Sequence, residues 1–155
     1  MSKLDMDREF IPVNFAILTI SDTRSLSEDK SGDFLSERVK NAGHFVKARE
    51  ITTDDEEKIV SHLNKLVERI DVDVILSTGG TGLTGRDVTV EAHKKIYEKE
   101  IEAFGTLFTM ISVEKIGTSA IQSRATAGVA RGKYLFALPG SPTAVSYTHL
   151  RAHET

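Results

Sequence analysis

The sequence predicts an α/β domain in which a mainly parallel sheet lies between helices. Two observations carry this. Short apolar runs rich in β-branched residues alternate along the chain with segments whose apolar residues recur at helical spacing, the pattern of strand, helix, strand units. The runs are apolar on both faces, as strands covered from two sides must be, and they end at turns rich in glycine, serine and threonine.

The elements follow in order. Val13 to Ile20, VNFAILTI, is the first strand, and the polar SDTRSLSEDKSG after it reads as a loop. From Asp33 to Ala42, Phe34, Leu35, Val39 and Ala42 fall on one helical stripe; Gly43 follows, where a helix end favours a residue free to take positive φ. A short strand is expected from His44 to Ile51. In TTDDEEKIVSHLNKLVERI, Thr53 and Glu56 have capping-box spacing, and Ile59, Val60, Leu63, Leu66, Val67 and Ile70 make a continuous apolar stripe. VDVILS is a third buried strand that runs straight into a glycine-rich loop. Val90, His93, Ile96 and Tyr97 then mark a short helix, and Phe104, Leu107, Phe108 and Ile111 mark another. GTSAIQSRATAGV reads as a short helix or turn passing into a strand near Ala125 to Ala130. RGK turns the chain into YLFALP, a last strand stopped by Pro139, so the two final strands form a small hairpin. A covering helix should follow LPGSPTAV, yet SYTHLRAHET has no apolar stripe. The chain therefore reads as one domain over residues 1–145 with an atypical tail at 146–155, a truncation or a foreign sequence.

Composition narrows the function. A chain of 155 residues supplies one core, and 39% apolar content spread along its length excludes disorder. No apolar run approaches the roughly 20 residues that cross a bilayer. The charged start MSKLDMDREF offers no secretory signal and there is no cysteine, which points to the cytoplasm. A net charge of −3 with acids and bases interleaved leaves no basic face for nucleic acid. The histidines, at 44, 62, 93, 149 and 153, lack metal-ligand spacing and are expected at the surface or partly buried.

The chemistry gathers at VILSTGGTGLTGRDVT. Gly80, Gly82 and Gly85 spell GxGxxG, but a dinucleotide site wants that turn after the first strand and an acid about 20 residues on, where this chain is helical. A P-loop wants Lys and Ser or Thr where Arg86 and Asp87 stand. A plain turn needs one or two glycines; four, interleaved with Thr78, Thr81 and Thr84 at the end of a buried strand, suit an anion or nucleotide. A carboxylate beside such a cradle is repelled by phosphate unless a cation lies between, so Asp87 is assigned to Mg²⁺. Asp54 and Asp55 could reach the same rim or simply cap the helix that follows. LPGSP exposes Ser141 on a sharp turn, SDT ends the first strand, and Arg124 in GTSAIQSR suits either a ligand phosphate or a surface carboxylate. Four strand ends carrying such residues describe one pocket edge. No nucleophile stands in a recognisable motif, so the chemistry rests on positioning and electrostatics.

SDTR and DKSG, STGGTGLTGRDVT, EAFGTLFTMIS, IGTSAIQSRATAGV and LPGSPTAV, in this order and spacing, resemble the MoaB and MogA proteins of molybdenum cofactor biosynthesis, MoaB more than MogA. The resemblance runs from Val13 to Val145. It implies a three-layer α/β/α sandwich that assembles as a trimer or a hexamer, and a molybdopterin adenylyltransferase that uses Mg²⁺ and ATP to place AMP on the terminal phosphate of molybdopterin, releasing pyrophosphate. The product would pass to a molybdenum insertase. The family's two essential aspartates map onto Asp54 and Asp87, as catalytic and metal-binding residues. Thr78, Gly79, Gly80, Thr81, Gly82 and Arg86 would contact the nucleotide; Ser21, Ser119, Arg124, Pro139, Gly140 and Ser141 would contact the pterin. Inactive members tend to lose the aspartate of RDVT, which this chain keeps. The alternatives are a non-catalytic molybdopterin-binding or carrier protein and a CinA-like nucleotide pyrophosphate hydrolase, normally found in longer chains.

Overall fold

The computed structural model describes residues 7–140. In chain order the elements are β1 (Asn14–Ile20), α1 (Lys30–Asn41), β2 (Phe45–Thr52), α2 (Glu56–Glu68), β3 (Val74–Thr78), α3 (Thr89–Ile96), β4 (Lys99–Glu100), α4 (Glu102–Ile116), β5 (Thr126–Ala130) and β6 (Lys133–Leu138), with single 3₁₀ turns at Leu26–Glu28 and Gly117–Gln122. One six-stranded sheet has the order β2-β1-β3-β6-β5-β4. The pairs β2–β1, β1–β3 and β3–β6 are parallel; β5 runs antiparallel to both β6 and β4. The predicted hairpin is β5–β6, closed by Arg131 and Gly132, both at positive φ (51° and 76°), as a two-residue turn between twisted strands requires. No helix among the described residues is long and apolar enough to cross a membrane.

Alternation along the strands builds two cores, one on each side of the sheet. Ala16, Leu18, Ile20, Ile75 and Leu135 face α2 and α3, where Ile59, Leu63, Leu66 and Val67 of α2 pack onto them. Ile17 and Leu138 face the other way, onto Leu35 of α1 and Phe108 of α4. The result is the expected α/β/α sandwich. Burying one Leu, Ile or Val side chain contributes roughly 1.5–3 kcal/mol, so the four buried residues of α2 outweigh any single cap.

Several boundaries differ from the sequence expectation. α1 starts at Lys30 rather than Asp33, because the buried Asp29 caps it by accepting from the Gly32 amide at 2.8 Å. Thr53 does not open a capping box; α2 is capped by Asp55, whose carboxylate accepts from the Lys58 amide at 3.0 Å. The helix ends at Glu68, leaving Ile70 wholly exposed instead of in the apolar stripe. Leu107 also faces outward, since α4 turns Phe104, Phe108 and Ile111 to the sheet. β4 has two residues, too few to show a period. His93, expected at or near the surface, is fully buried, its Nε2 2.7 Å from the Ser77 hydroxyl and its Nδ1 3.1 Å from Tyr97 Oη. Burial lowers its pKa to about 3, so the ring is neutral. The expected tail beyond Val145 and the start of the chain lie outside the described residues.

An N-cap carboxylate typically contributes about 1 kcal/mol. Asp55→Ala is therefore expected to lower the unfolding free energy by about 1 kcal/mol in urea titrations, with no change in the slope of the transition.

Candidate active site

Strand order fixes where a ligand can lie. The chain leaves β1 toward β2 on one side, then crosses back to β3 on the other, so the loops that follow the paired C-terminal ends of β1 and β3 diverge and leave a crevice, the usual ligand position in open α/β sheets. A cleft of about 600 Å³ lies there. Thr19 to Arg24 line it from the end of β1, Asp54 from the end of β2, Thr78 to Gly80 and Asp87 from the glycine turn, with Ser31 of α1 and Gly140 after β6.

The glycines are required by close approach. Gly79 has φ 101°, and a Cβ there would sit 2.3 Å from the Ile20 carbonyl oxygen. Gly80 has φ 66°; a Cβ would lie 2.3 Å from Thr89 Oγ1 and 2.9 Å from Asp54 Oδ1. At Gly82 it would lie 2.7 Å from Asp87 Oδ2. Bare backbone thus borders both candidate carboxylates. Gly85 meets nothing within 4 Å, so the last glycine of the GxGxxG has no packing reason.

Neighbouring elements hold the turn in shape. The Gly79 amide donates to Leu138 O at 3.0 Å, and Thr89, at the start of α3, donates its hydroxyl to Gly79 O (2.7 Å) and its amide to Gly80 O (3.1 Å). Thr78 donates its buried hydroxyl to Pro139 O at 3.1 Å. Arg124 braces the loop from behind: its amide and Nε donate to Thr81 O, Nε also to Gly82 O, and Nη2 to Asp87 O, while Nη1 pairs with Glu91 at 2.5 Å. Thr84 donates amide and hydroxyl to Asp87 Oδ2 at 3.0 and 2.7 Å. The amides of Gly80 and Thr81 donate to no group among the described residues.

The carboxylates have unequal acidities. Desolvation pushes Asp54 upward, and the charges of Asp22 and Asp87 push it further. Desolvation also acts on Asp87, but the Thr84 hydroxyl and amide and the Gly82 amide more than offset it, and its pKa is lowered. Asp22 is lowered, first by the Asp54 amide, which donates to it at 2.9 Å, then by Arg86, whose guanidinium is paired with it. The rim is therefore an acidic cluster whose mutual repulsion is only partly relieved by Arg86. No group of three or more carboxylates or imidazoles among the described residues is arranged to hold a metal by itself. Mg²⁺ needs only one or two carboxylates when phosphates and water complete its octahedron, and Asp54 with Asp87 fits that donor set.

Of the residues singled out in the sequence, Ser21, Asp54, Thr78, Gly79, Gly80, Asp87 and Gly140 line the cleft together. Thr81 and Gly82 accept Arg124, and Arg86 is engaged by Asp22. Pro139 is buried under Thr78. Ser119, on the 3₁₀ turn after α4, is exposed and does not line the cleft, and neither does Arg124. Ser141 lies outside the described residues. The sequence placed Asp22 on the pocket edge within SDT without giving it a role, and Arg24 was missed as a site residue. Their signal was position, immediately past the end of β1.

Fold and cleft together define an α/β domain with a glycine-lined, carboxylate-rimmed pocket at its switch point. The family described as "probable molybdopterin binding domain" matches residues 16–150. Molybdenum cofactor biosynthesis protein B of Bacillus anthracis is 51% identical over 134 residues, 86% of this chain and 79% of that one. The protein of the same name from Escherichia coli K12 is 44% identical over 136 residues, 88% and 80%. A crystal structure of molybdenum cofactor biosynthesis protein B superimposes with a TM-score of 0.86 at 42% identity, covering 96% of this chain and 100% of that one. The chain belongs to the MoaB/MogA family of molybdenum cofactor biosynthesis proteins.

Because the folded-state pKa of Asp54 is raised, its ionised form costs folding free energy at neutral pH. That cost fades as pH falls through the folded pKa and is gone below the ordinary value of 3.8, where both states are protonated. Asp54→Asn is expected to raise the melting temperature at pH 7, with the gain shrinking toward zero at acid pH, as read by thermal scans.

Proposed function

We propose that this protein acts in molybdenum cofactor biosynthesis as a molybdopterin adenylyltransferase, joining AMP from ATP to the terminal phosphate of molybdopterin and releasing pyrophosphate. One observation carries the reading. Asp54 and Asp87 border a turn that admits no side chain at Gly80, so backbone amides and two mutually repelling carboxylates meet around one small space. Phosphate oxygens and a divalent cation together satisfy both sides of that arrangement; neither does so alone.

In this reading the amides of Gly80 and Thr81 donate to phosphate oxygens of the nucleotide, and Asp54 and Asp87 hold Mg²⁺. The ion, when bound, offsets the charge that builds on the phosphates during transfer. A phosphomonoester has its second pKa near 6, so at neutral pH the acceptor is already a dianion and needs no general base. One of its oxygens attacks the α-phosphorus of ATP, a new P–O–P bond forms, and the bond to the β-phosphate breaks to release pyrophosphate. Such a transfer needs no protein nucleophile. The chain's own contribution is orientation: Thr84 fixes the Asp87 carboxylate, Thr89 fixes the turn, and Arg124 fixes the loop that joins them.

Incubation with molybdopterin, ATP and Mg²⁺ is expected to yield adenylylated pterin and pyrophosphate. Asp87→Ala should cut that rate by roughly 10²-fold or more, the scale seen when one transition-state charge contact is lost, while circular dichroism stays native. Pterin binding without any pyrophosphate would instead identify a carrier.

Assembly belongs to the same proposal. Leu107, Met110, Val113 and Ile116 leave α4 apolar on its outer side as well as its inner one, the mark of a helix that is covered on both sides. A second copy of the chain is the proposed cover, as in a trimer or hexamer. Met110→Glu is expected to shift the light-scattering mass toward the 17.1 kDa monomer.

A further inference from the structure

We propose that Arg24, supported by Ser31, is the seat for the phosphate of the acceptor substrate, separate from the nucleotide's cradle. The inference rests on the adenylyl-transfer reading and extends it to a residue that reading does not use.

The first observation is charge. Among the described residues that line the cleft there are three carboxylates, Asp22, Asp54 and Asp87, and one cation, Arg24. Arg49, Arg69, Arg86, Arg124 and Arg131 are each in an ion pair with a carboxylate. Arg24 is in none of the ion pairs among the described residues; its guanidinium reaches only the Ser31 hydroxyl, at 3.5 Å. A solvated guanidinium beside an acidic cluster, itself unpaired, is available to an incoming anion.

The second is position. Ser31 is buried at the start of α1 and donates its hydroxyl to Gly140 O at 2.5 Å; Gly140 in turn packs against Gly79, whose Cα would lie 3.1 Å from a Cβ added at Gly140. Arg24 is thus linked through Ser31 and Gly140, by three successive contacts, to the glycine turn, but it enters the cleft from the loop after β1. Its backbone is fixed there, because the Ser21 hydroxyl accepts the Arg24 amide at 3.2 Å and the Thr23 amide at 3.3 Å.

The third is the geometry that the reaction demands. Attacking and leaving oxygens stand on opposite sides of the α-phosphorus. On the pyrophosphate side, Asp54 and Asp87 would hold the divalent cation that balances charge there. The attacking dianion needs its own positive group on the other side, and Arg24 is the cleft-lining cation that can supply it. A guanidinium matches a phosphate in fork geometry, and losing one such contact weakens binding by about tenfold or more.

The test is equilibrium dialysis of molybdopterin, of dephosphorylated molybdopterin and of Mg-ATP against the wild type, Arg24→Gln, Arg24→Lys and, as a surface control, Arg38→Gln. Arg24→Gln should raise the Kd for molybdopterin about tenfold or more, Arg24→Lys should recover part of it, and Mg-ATP should bind as before. Dephosphorylated molybdopterin should bind weakly and be indifferent to residue 24. An unchanged molybdopterin Kd in Arg24→Gln, or a loss confined to Mg-ATP, would overturn the Arg24 assignment alone. Absence of molybdopterin binding by the wild type overturns both it and the adenylyl-transfer reading. Arg24-dependent binding without pyrophosphate release overturns only the latter.

Discussion

The cleft exists because β3 leaves the sheet close against β1, with the Gly79 backbone almost touching the Ile20 carbonyl. Any side chain at Gly79 would have to displace strand backbone, and one at Gly80 would displace both Thr89 and Asp54. That steric constraint does two things at once. It leaves bare main chain along the crevice, and it lets the Asp54 carboxylate come close at Gly80 and the Asp87 carboxylate at Gly82. Larger residues would satisfy neither requirement, so the turn, the acidic rim and the start of α3 stand or fall together.

Charge is arranged around this turn at some cost to folding. The cost falls on Asp54, whose carboxyl is raised by desolvation and by the charges of Asp22 and Asp87, and the exposed Asp22–Arg86 and Glu91–Arg124 pairs return little, since solvent screens such contacts. Their value is positional: each bridges two segments that the fold brings together from distant parts of the chain. Strain of this kind at a site, with stability drawn from the cores elsewhere, is a common division of labour. Here the cores on the two faces of the sheet are large and apolar, and they carry the rim.

The buried polar groups serve the same end. His93 sits between Ser77, the residue before the end of β3, and Tyr97, whose ring lies on Gly128 of β5. Burial keeps the imidazole neutral, so it acts as a fixed hydrogen-bonding spacer over the whole physiological pH range. It ties α3 to the strand that delivers the glycine turn. Leaving such a buried group without its partner costs about 1–3 kcal/mol, enough to hold the register of α3 against the loop.

The fold class, the order of all but one strand and helix, and the turn around which the site is built were all legible in the residue pattern. Period-two and helical apolar patterns are local, and so are glycine runs, which is why a single chain reveals them. Helix ends were less legible: Asp29 caps α1 through a carboxylate that also reaches Thr19 and Arg49, partners 10 and 20 residues away. Which polar residues share the cleft was set by folding in three dimensions. It brought Asp22 to the amide of Asp54, turned Arg86 and Arg124 onto protein carboxylates and left Arg24 without one among the described residues, and no spacing rule reports this. The reason is physical: a strand order that reverses direction juxtaposes the ends of β1, β2, β3 and β6, and side-chain charges are matched there by distance in space rather than along the chain.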